Sequence, residues 1–370
     1  MRDTFISICL GLLCSAGHAF GDVVHMRDGQ PARTVPIVFM DDGGVTVRIA
    51  NGDSQVIPWD IVRDVEMETG DHLLAQRLEL AQDLWRARSR LQRQDPTLAE
   101  PLFERLFERY RGQDNECALI VAEGLLRCRL ARGAQESAVI PFLEMVRLRR
   151  TGFKTDRYAQ LIEVYEEVFG LCPQLAPAWA NFVALDKMQR DLSTYDSRGD
   201  EILKAIAETY RFSARLALRG ATALENDEWP HWPNHDGLDL LEDLLGTMSP
   251  DDDRQTSART RLLRQIPQIP PWAESWIRYR VGISLLTESG EHQRQKGLVS
   301  LAHLPARFGR ITPYLAGLAT ARMAQELERE GRSEEGAILR AELERRFPGH
   351  PILYMNEEDQ KPSDSSKENV

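Results

Sequence analysis

Two histidines and a carboxylate crowd one short stretch, Glu228-Trp229-Pro230-His231-Trp232-Pro233-Asn234-His235-Asp236. Imidazole and carboxylate are the ligand types a zinc-like ion takes, so His231, His235 and Asp236 are the candidate set for a metal-dependent hydrolase. The pattern argues against that chemistry in two ways. There is no HExxH, and Pro230 and Pro233 make helical i, i+4 geometry between the histidines unfavourable. Asp236 and Asp239 serve as well as N-cap and first-turn acid of the helix that follows. The tryptophans suit a rigid loop packed onto neighbouring helices, and that is the expectation for this stretch. A second acidic run, Asp251-Asp252-Asp253, lacks the EF-hand spacing and its terminal glutamate, and reads as a solvated helix start. No GxSxG, no glycine-rich phosphate loop before a lysine and no cysteine beside a base is present. The many Asp and Glu residues favour no particular pair. Catalytic residues, cofactor and metal ligands are therefore all expected to be none.

Charge comes next. The chain of 370 residues has a formal net charge of −11, which argues against a general nucleic-acid binder. Yet arginines cluster at Arg86, Arg88, Arg90 and Arg93, at Arg105, Arg109 and Arg111, and again at Arg127, Arg129, Arg132, Arg147, Arg149, Arg150 and Lys154. Aligned on one face they would form a positive strip for an acidic protein segment, an anionic lipid surface or a wall polymer. The competing expectation is that Glu104, Glu108, Glu116, Glu123 and Glu144, interleaved with them, neutralise the strip.

The beginning of the chain has the form of an export signal. One basic residue, Arg2, precedes the apolar run 5–13, and small residues follow up to Ala19. Residues 1–19 are expected to be cleaved, sending the protein to a periplasm or cell envelope. The apolar run is far short of the about 20 residues that span a bilayer. Gly11-Leu12-Leu13 before Cys14 lacks the small residues expected beside a lipidated cysteine. With Cys9 and Cys14 removed, Cys117, Cys128 and Cys172 remain. On one helix Cys117 and Cys128 would stand about 16 Å apart, beyond disulfide reach, and all three suit the core. No second long apolar segment follows, so the mature chain is expected to be soluble.

The elements that would carry these residues fall into two kinds. Residues 22–68 read as β: short apolar runs at 23–26, 34–40, 45–49, 55–58 and 61–65, separated by Asp28-Gly29, Asp41-Asp42-Gly43-Gly44 and Asn51-Gly52. From 71 onward the apolar spacing is helical. Leu73 to Trp85 recurs in three- and four-residue steps, Thr97 with Glu100 forms a capping box, and 111–150 reads as a helical hairpin turning at Ala131-Arg132-Gly133. Helices are also expected over 158–169, from Trp179, in two short pieces over 202–223, over 238–245 and from Trp276. Residues 266–272, with three prolines, are the clearest break. Residues 313–347 read as a final hairpin, and 356–370 as a solvated tail.

Two resemblances follow from these residues. The Arg27-Asp28-Gly29 turn, the Gly43-Gly44-Val45-Thr46-Val47 hairpin and Ile57-Pro58-Trp59-Asp60-Ile61 resemble the SH3-like and Sm-like small barrels that begin some exported bacterial proteins. The helical part resembles tetratricopeptide repeats, 34-residue hairpins with small residues where helices touch and a proline after the second helix. Gly133, Ala138, Phe142 and Met145 fall at positions 15, 20, 24 and 27 of that register. Ala324, Leu327, Gly331, Gly336, Leu343 and Pro348 fall at 8, 11, 15, 20, 27 and 32. Ala99, Phe103 and Leu106 fit a partial copy. Arg340 replaces a bulky apolar residue and Leu126 a small one. The expected architecture is mainly α: a tetratricopeptide-like solenoid, with helical repeats over 71–265 and 266–355, preceded by a small all-β module. Such a solenoid presents a groove to another protein, so the expected function is a non-enzymatic interaction scaffold. The alternatives are the metal-dependent envelope hydrolase built on His231 and His235, and a cell-wall or membrane-surface component using the arginine strip.

Overall fold

The computed structural model describes residues 21–67, 70–220, 229–230 and 232–355. The expected export segment 1–19, the tail 356–370 and His231 lie outside these residues. The chain divides into two compact units, Met1–Gln82 and Asp83–Val370, each described by itself.

The described residues of the first unit hold six short strands, β1 (Val23–Met26), β2 (Arg33–Thr34), β3 (Ile37–Asp41), β4 (Gly44–Arg48), β5 (Ser54–Pro58) and β6 (Val62–Glu66). They form two antiparallel sheets in the orders β2-β1-β6 and β3-β4-β5. The Asp41 carboxylate accepts the amides of Gly43 and Gly44, which closes the β3–β4 turn. A side chain at Gly44 would strike the Ile57 carbonyl at 2.2 Å, so only glycine lets β4 and β5 pair there. Trp59, fully buried, donates its indole N–H to the Asp41 carbonyl at 2.7 Å. Around it Val24, Val45, Val47, Ile57 and Val62 complete a small core. The apolar run 34–40 is not one strand: β2 ends at Thr34 and β3 starts at Ile37, just past Pro36, which has no N–H to give a ladder.

Among the described residues twelve α-helices follow: α1 (Leu74–Gln92), α2 (Pro96–Tyr110), α3 (Glu116–Ala131), α4 (Gln135–Arg150), α5 (Phe182–Ser193), α6 (Glu201–Arg219), α7 (Asp236–Gly246), α8 (Asp252–Gln265), α9 (Pro271–Leu286), α10 (Glu291–His303), α11 (Pro313–Arg329) and α12 (Ser333–Arg346). Neighbours in sequence pack in pairs, as a helical-repeat architecture requires. Turns with left-handed glycines join α3 to α4 at Gly133 and α11 to α12 at Gly331. Small residues stand where helices meet. At Gly124 of α3 an added Cβ would lie 2.3 Å from the Phe103 ring of α2, and at Gly336 of α12 it would lie 3.1 Å from the Ala324 carbonyl of α11. In α3, then, Gly124 takes the role that Leu126 cannot.

Several local expectations are corrected. Asp95, not Thr97, caps α2, accepting from the Leu98 amide with Pro96 as the first helical residue. Glu100 turns instead to Arg132 of the α3–α4 turn, at 2.8 Å. The stretch 202–219 is one helix, α6, rather than two. Asn181 caps α5, so Trp179 precedes the helix instead of starting it.

The largest departure is at 158–169, which forms turns and no helix. Tertiary bonds hold this backbone in place. The Tyr158 hydroxyl donates to the Ile120 carbonyl at 3.0 Å, Arg127 donates to the Ile162 carbonyl, and Glu166 pairs with Leu171 in an isolated antiparallel bridge. Residues 151–181 therefore form a non-helical strap with buried Tyr158, Tyr165, Leu171, Cys172 and Leu175. Its ties reach far. Gln92 of α1 donates to the Arg157 carbonyl, Tyr210 of α6 to the Leu175 carbonyl, and Trp276 of α9 to the Pro173 carbonyl. Glu136 of α4 accepts the Ala180 and Asn181 amides at 3.0 and 2.9 Å. The α3–α4 turn also meets the chain just after α12: an added Cβ at Gly133 would lie 2.6 Å from Pro351.

Candidate functional site

The tryptophan-rich loop packs as its composition implies. Trp232 is buried with its indole N–H on the Thr209 hydroxyl, and Trp229 stands edge-on to Phe212 with Arg254 over its ring. His235 is the N-cap of α7, its Nδ1 accepting the Gly237 amide at 3.2 Å. Asp236 and Asp239 occupy the first turn, so the cap is the imidazole and not Asp236. A side chain at Gly237 would collide with the Phe169 carbonyl at 1.9 Å, which locks this helix start against the strap. Among the described residues no three His, Cys, Asp or Glu side chains gather as a metal would need. Asp251 caps α8, with Asp252 and Asp253 in its first turn.

The arginine strip is largely paired. Arg127 and Arg149 both engage Glu123, at 2.7 and 3.0 Å. Arg129 meets Glu104 at 3.4 Å, Arg105 meets Asp83 at 3.4 Å, and Arg150 meets Asp200. Arg147, buried in α4, bonds Glu144 at 3.1 Å, Asp114, and the Gln113 carbonyl at 2.8 Å. Each of these arginines thus meets a carboxylate. The three cysteines are buried and unbridged, and burial pushes the Cys128 and Cys172 thiols up to about 12, far from a reactive thiolate.

Two features remain open. The first is a groove of about 690 Å³ between α11, α12 and the terminal turn, with Leu343, Ile352 and Leu353 giving apolar surface and Arg322, Arg329 and Arg340 giving charge. Arg340 is held by Glu328 at 2.5 Å and Arg329 by Glu326 at 3.0 Å. Arg322 has no ion pair among the described residues; it donates only to Gln325, at 3.4 Å.

The second is Arg280 of α9, only 8% exposed, whose buried Nε has no acceptor. It continues the i+4 stripe Trp272, Trp276, Arg280, Ser284, which faces inward along its length. Burial pulls its guanidinium down to about 10, and the one group that offsets this is the neighbouring Tyr279. Tyr279 is itself buried. Burial raises its phenol, while the charges of Arg280 and Arg322 draw it down. Nothing in the sequence motifs marks Arg280, Tyr279 or Arg322. The available signal was one cation in the middle of an aromatic and small-residue stripe.

No family model, no curated protein and no solved structure matches this chain. Among the described residues, no helix is long and apolar enough to cross a membrane.

Proposed function

We propose that the protein is an exported, non-enzymatic interaction scaffold of the cell envelope, which seats a segment of another protein in the α11–α12 groove of a tetratricopeptide-like solenoid. The observation that carries this reading is the groove itself, whose lining combines Leu343, Ile352 and Leu353 with Arg322, Arg329 and Arg340. A lining of that kind takes a peptide's apolar side chains, and its charges fix the peptide's direction. The tetratricopeptide register is fullest over the same two helices, where Ala324 and Gly336 meet at the close approach of the hairpin. On this reading the six β strands form an SH3-like cap, and residues 1–19 are the export signal.

The test is site-specific photocrosslinking in the source cells. Probes at Arg340 and Ile352, on the groove, should each trap the same protein, while a probe at Val299, exposed on α10, should not. The N-terminus of the recovered chain should start near Phe20. Equal labelling from all three positions, or an intact Met1, would overturn the respective halves of the proposal.

A further inference from the structure

We infer that a cavity of about 250 Å³, between the α3–α4 turn, the start of α11 and the chain just after α12, binds a small neutral aromatic molecule carrying one N–H or O–H donor. The cavity shares no lining residue with the α11–α12 groove, so the inference stands apart from that reading. Its walls come from distant parts of the chain, and short contacts fix them. An added Cβ at Gly133 would lie 2.6 Å from Pro351 and 3.6 Å from the Tyr314 ring, so all three walls meet there. His350 stacks on Tyr314 with ring centroids 5.2 Å apart, and its Nε2 donates to the Tyr314 carbonyl at 2.9 Å. Thr312, at the start of α11, is tied to Ser275 of α9 by a 3.0 Å hydroxyl bond. The space is therefore formed in advance, which spares a ligand the cost of ordering it.

The lining sets the ligand's chemistry. Leu130, Pro313, Tyr314, Phe347, Pro348 and Pro351 give apolar and ring surfaces. Among the described residues it holds one charged side chain, Arg346, which already donates to Glu342 at 2.9 Å and to the Pro305 carbonyl at 2.6 Å. Burial pulls the His350 imidazole below its ordinary value, so it too is neutral near pH 7. A charged ligand would thus find no counter-charge there. Size is limited as well. An engineered cavity of about 150 Å³ holds benzene, so by proportion this one takes about ten non-hydrogen atoms. The polar anchor is Gln135, the first residue of α4. It lies in the lining at 1% exposure, and its Oε1 accepts from no donor. Water does not reach that oxygen, and a buried acceptor left alone is unfavourable. The last torsion of a glutamine side chain is soft, so the N–H of a molecule in the cavity can draw the oxygen to itself.

The experiment is a ligand-observed NMR titration of the full chain with indole, with N-methylindole, which keeps the rings but has no donor, and with benzoate. Indole should bind saturably and about tenfold more tightly than N-methylindole, the factor one buried hydrogen bond supplies. Benzoate should not bind over the same range. Ala131→Phe, at an exposed position in the lining that does not threaten folding, should abolish binding of both indoles. Gln135→Met should leave N-methylindole unchanged and bring indole down to the same affinity. Absence of saturable indole binding overturns the site, and so does binding that survives in Ala131→Phe. Equal affinities of the two indoles for the unaltered chain, or a preference that persists in Gln135→Met, overturn the anchor. Benzoate binding as tightly as indole overturns the neutral class. The comparison of ligands on the unaltered chain and the Ala131 variant decide the matter even if the Gln135 variant does not fold.

Discussion

Arg147 in α4 and Arg280 in α9 are both buried cations on helices surrounded by apolar side chains, and they are opposite cases. Arg147 spends every arm of its guanidinium on Glu144, Asp114 and the Gln113 carbonyl, and so sews the α2–α3 connection to α4. Arg280 has no acceptor at Nε and no acid partner among the described residues. Burial alone therefore says little about an arginine's role. Its acceptors are what identify a structural tie.

That contrast yields predictions of decreasing size. Replacing Arg147 by Met leaves Glu144 buried without its cation, so it should cost about 3–5 kcal/mol in urea unfolding. A loss below about 1 kcal/mol would erase the distinction between the two sites. Gly124→Ala tests whether the same region is as sensitive to volume as to charge. A methyl group 2.3 Å from the Phe103 ring should cost about 1–3 kcal/mol. Arg280→Met should move stability by no more than about 1 kcal/mol, in the stabilising direction, because it removes a charge with nothing to offset it.

The acid limb of stability sharpens the comparison further. Burial pushes the Asp114 carboxyl up, but Arg147 and Arg198 outweigh it and hold the group below the usual carboxylate range. Its contribution is thus complete above about pH 4 and is lost as pH falls through the folded value. Arg147→Met should flatten the loss below pH 4, whereas Arg280→Met should leave that limb unchanged. The smallest effect belongs to His350. Burial lowers its pKa against the bond its Nε2 donates to the Tyr314 carbonyl at 2.9 Å. The unfolded chain then binds the extra proton first, so stability should decline as pH drops below about 6.5. His350→Gln should remove that slope in melting curves taken at pH 7.5 and 5.5.

The hairpins were legible because each announces itself locally. Gly133 and Gly331 mark turns by their left-handed backbone, and the prolines at 267, 270 and 271 break one helix and begin the next. The strap was not legible. Leu161, Ile162, Tyr165 and Val168 keep a helical period, yet Ile162 and Val168 are 74% and 65% exposed, and the segment is held by partners distant in sequence. Periodicity reports what one element prefers alone and carries no record of a bond to Ile120. The capping errors have a similar origin. The Asp95 side chain takes the Leu98 amide, a role that Thr97 offers equally by composition, and the Asn181 side chain takes the Ala184 amide and so starts α5 after Trp179. Arg280 escaped notice because a single arginine on a helix ordinarily points to water, and only the packing of α9 on several sides turns it inward.

The strap has a consequence for how the helical unit forms. Hairpins that touch only their neighbours can fold and melt piece by piece, in any order. Here the bonds to the strap close loops of 38, 65 and 103 residues, and the entropy of closing them must be met before any of these contacts is made. Folding should therefore be slow for so helical a chain and should end in a single transition. The hairpins stand or fall together, and damage to α9 is felt at α3.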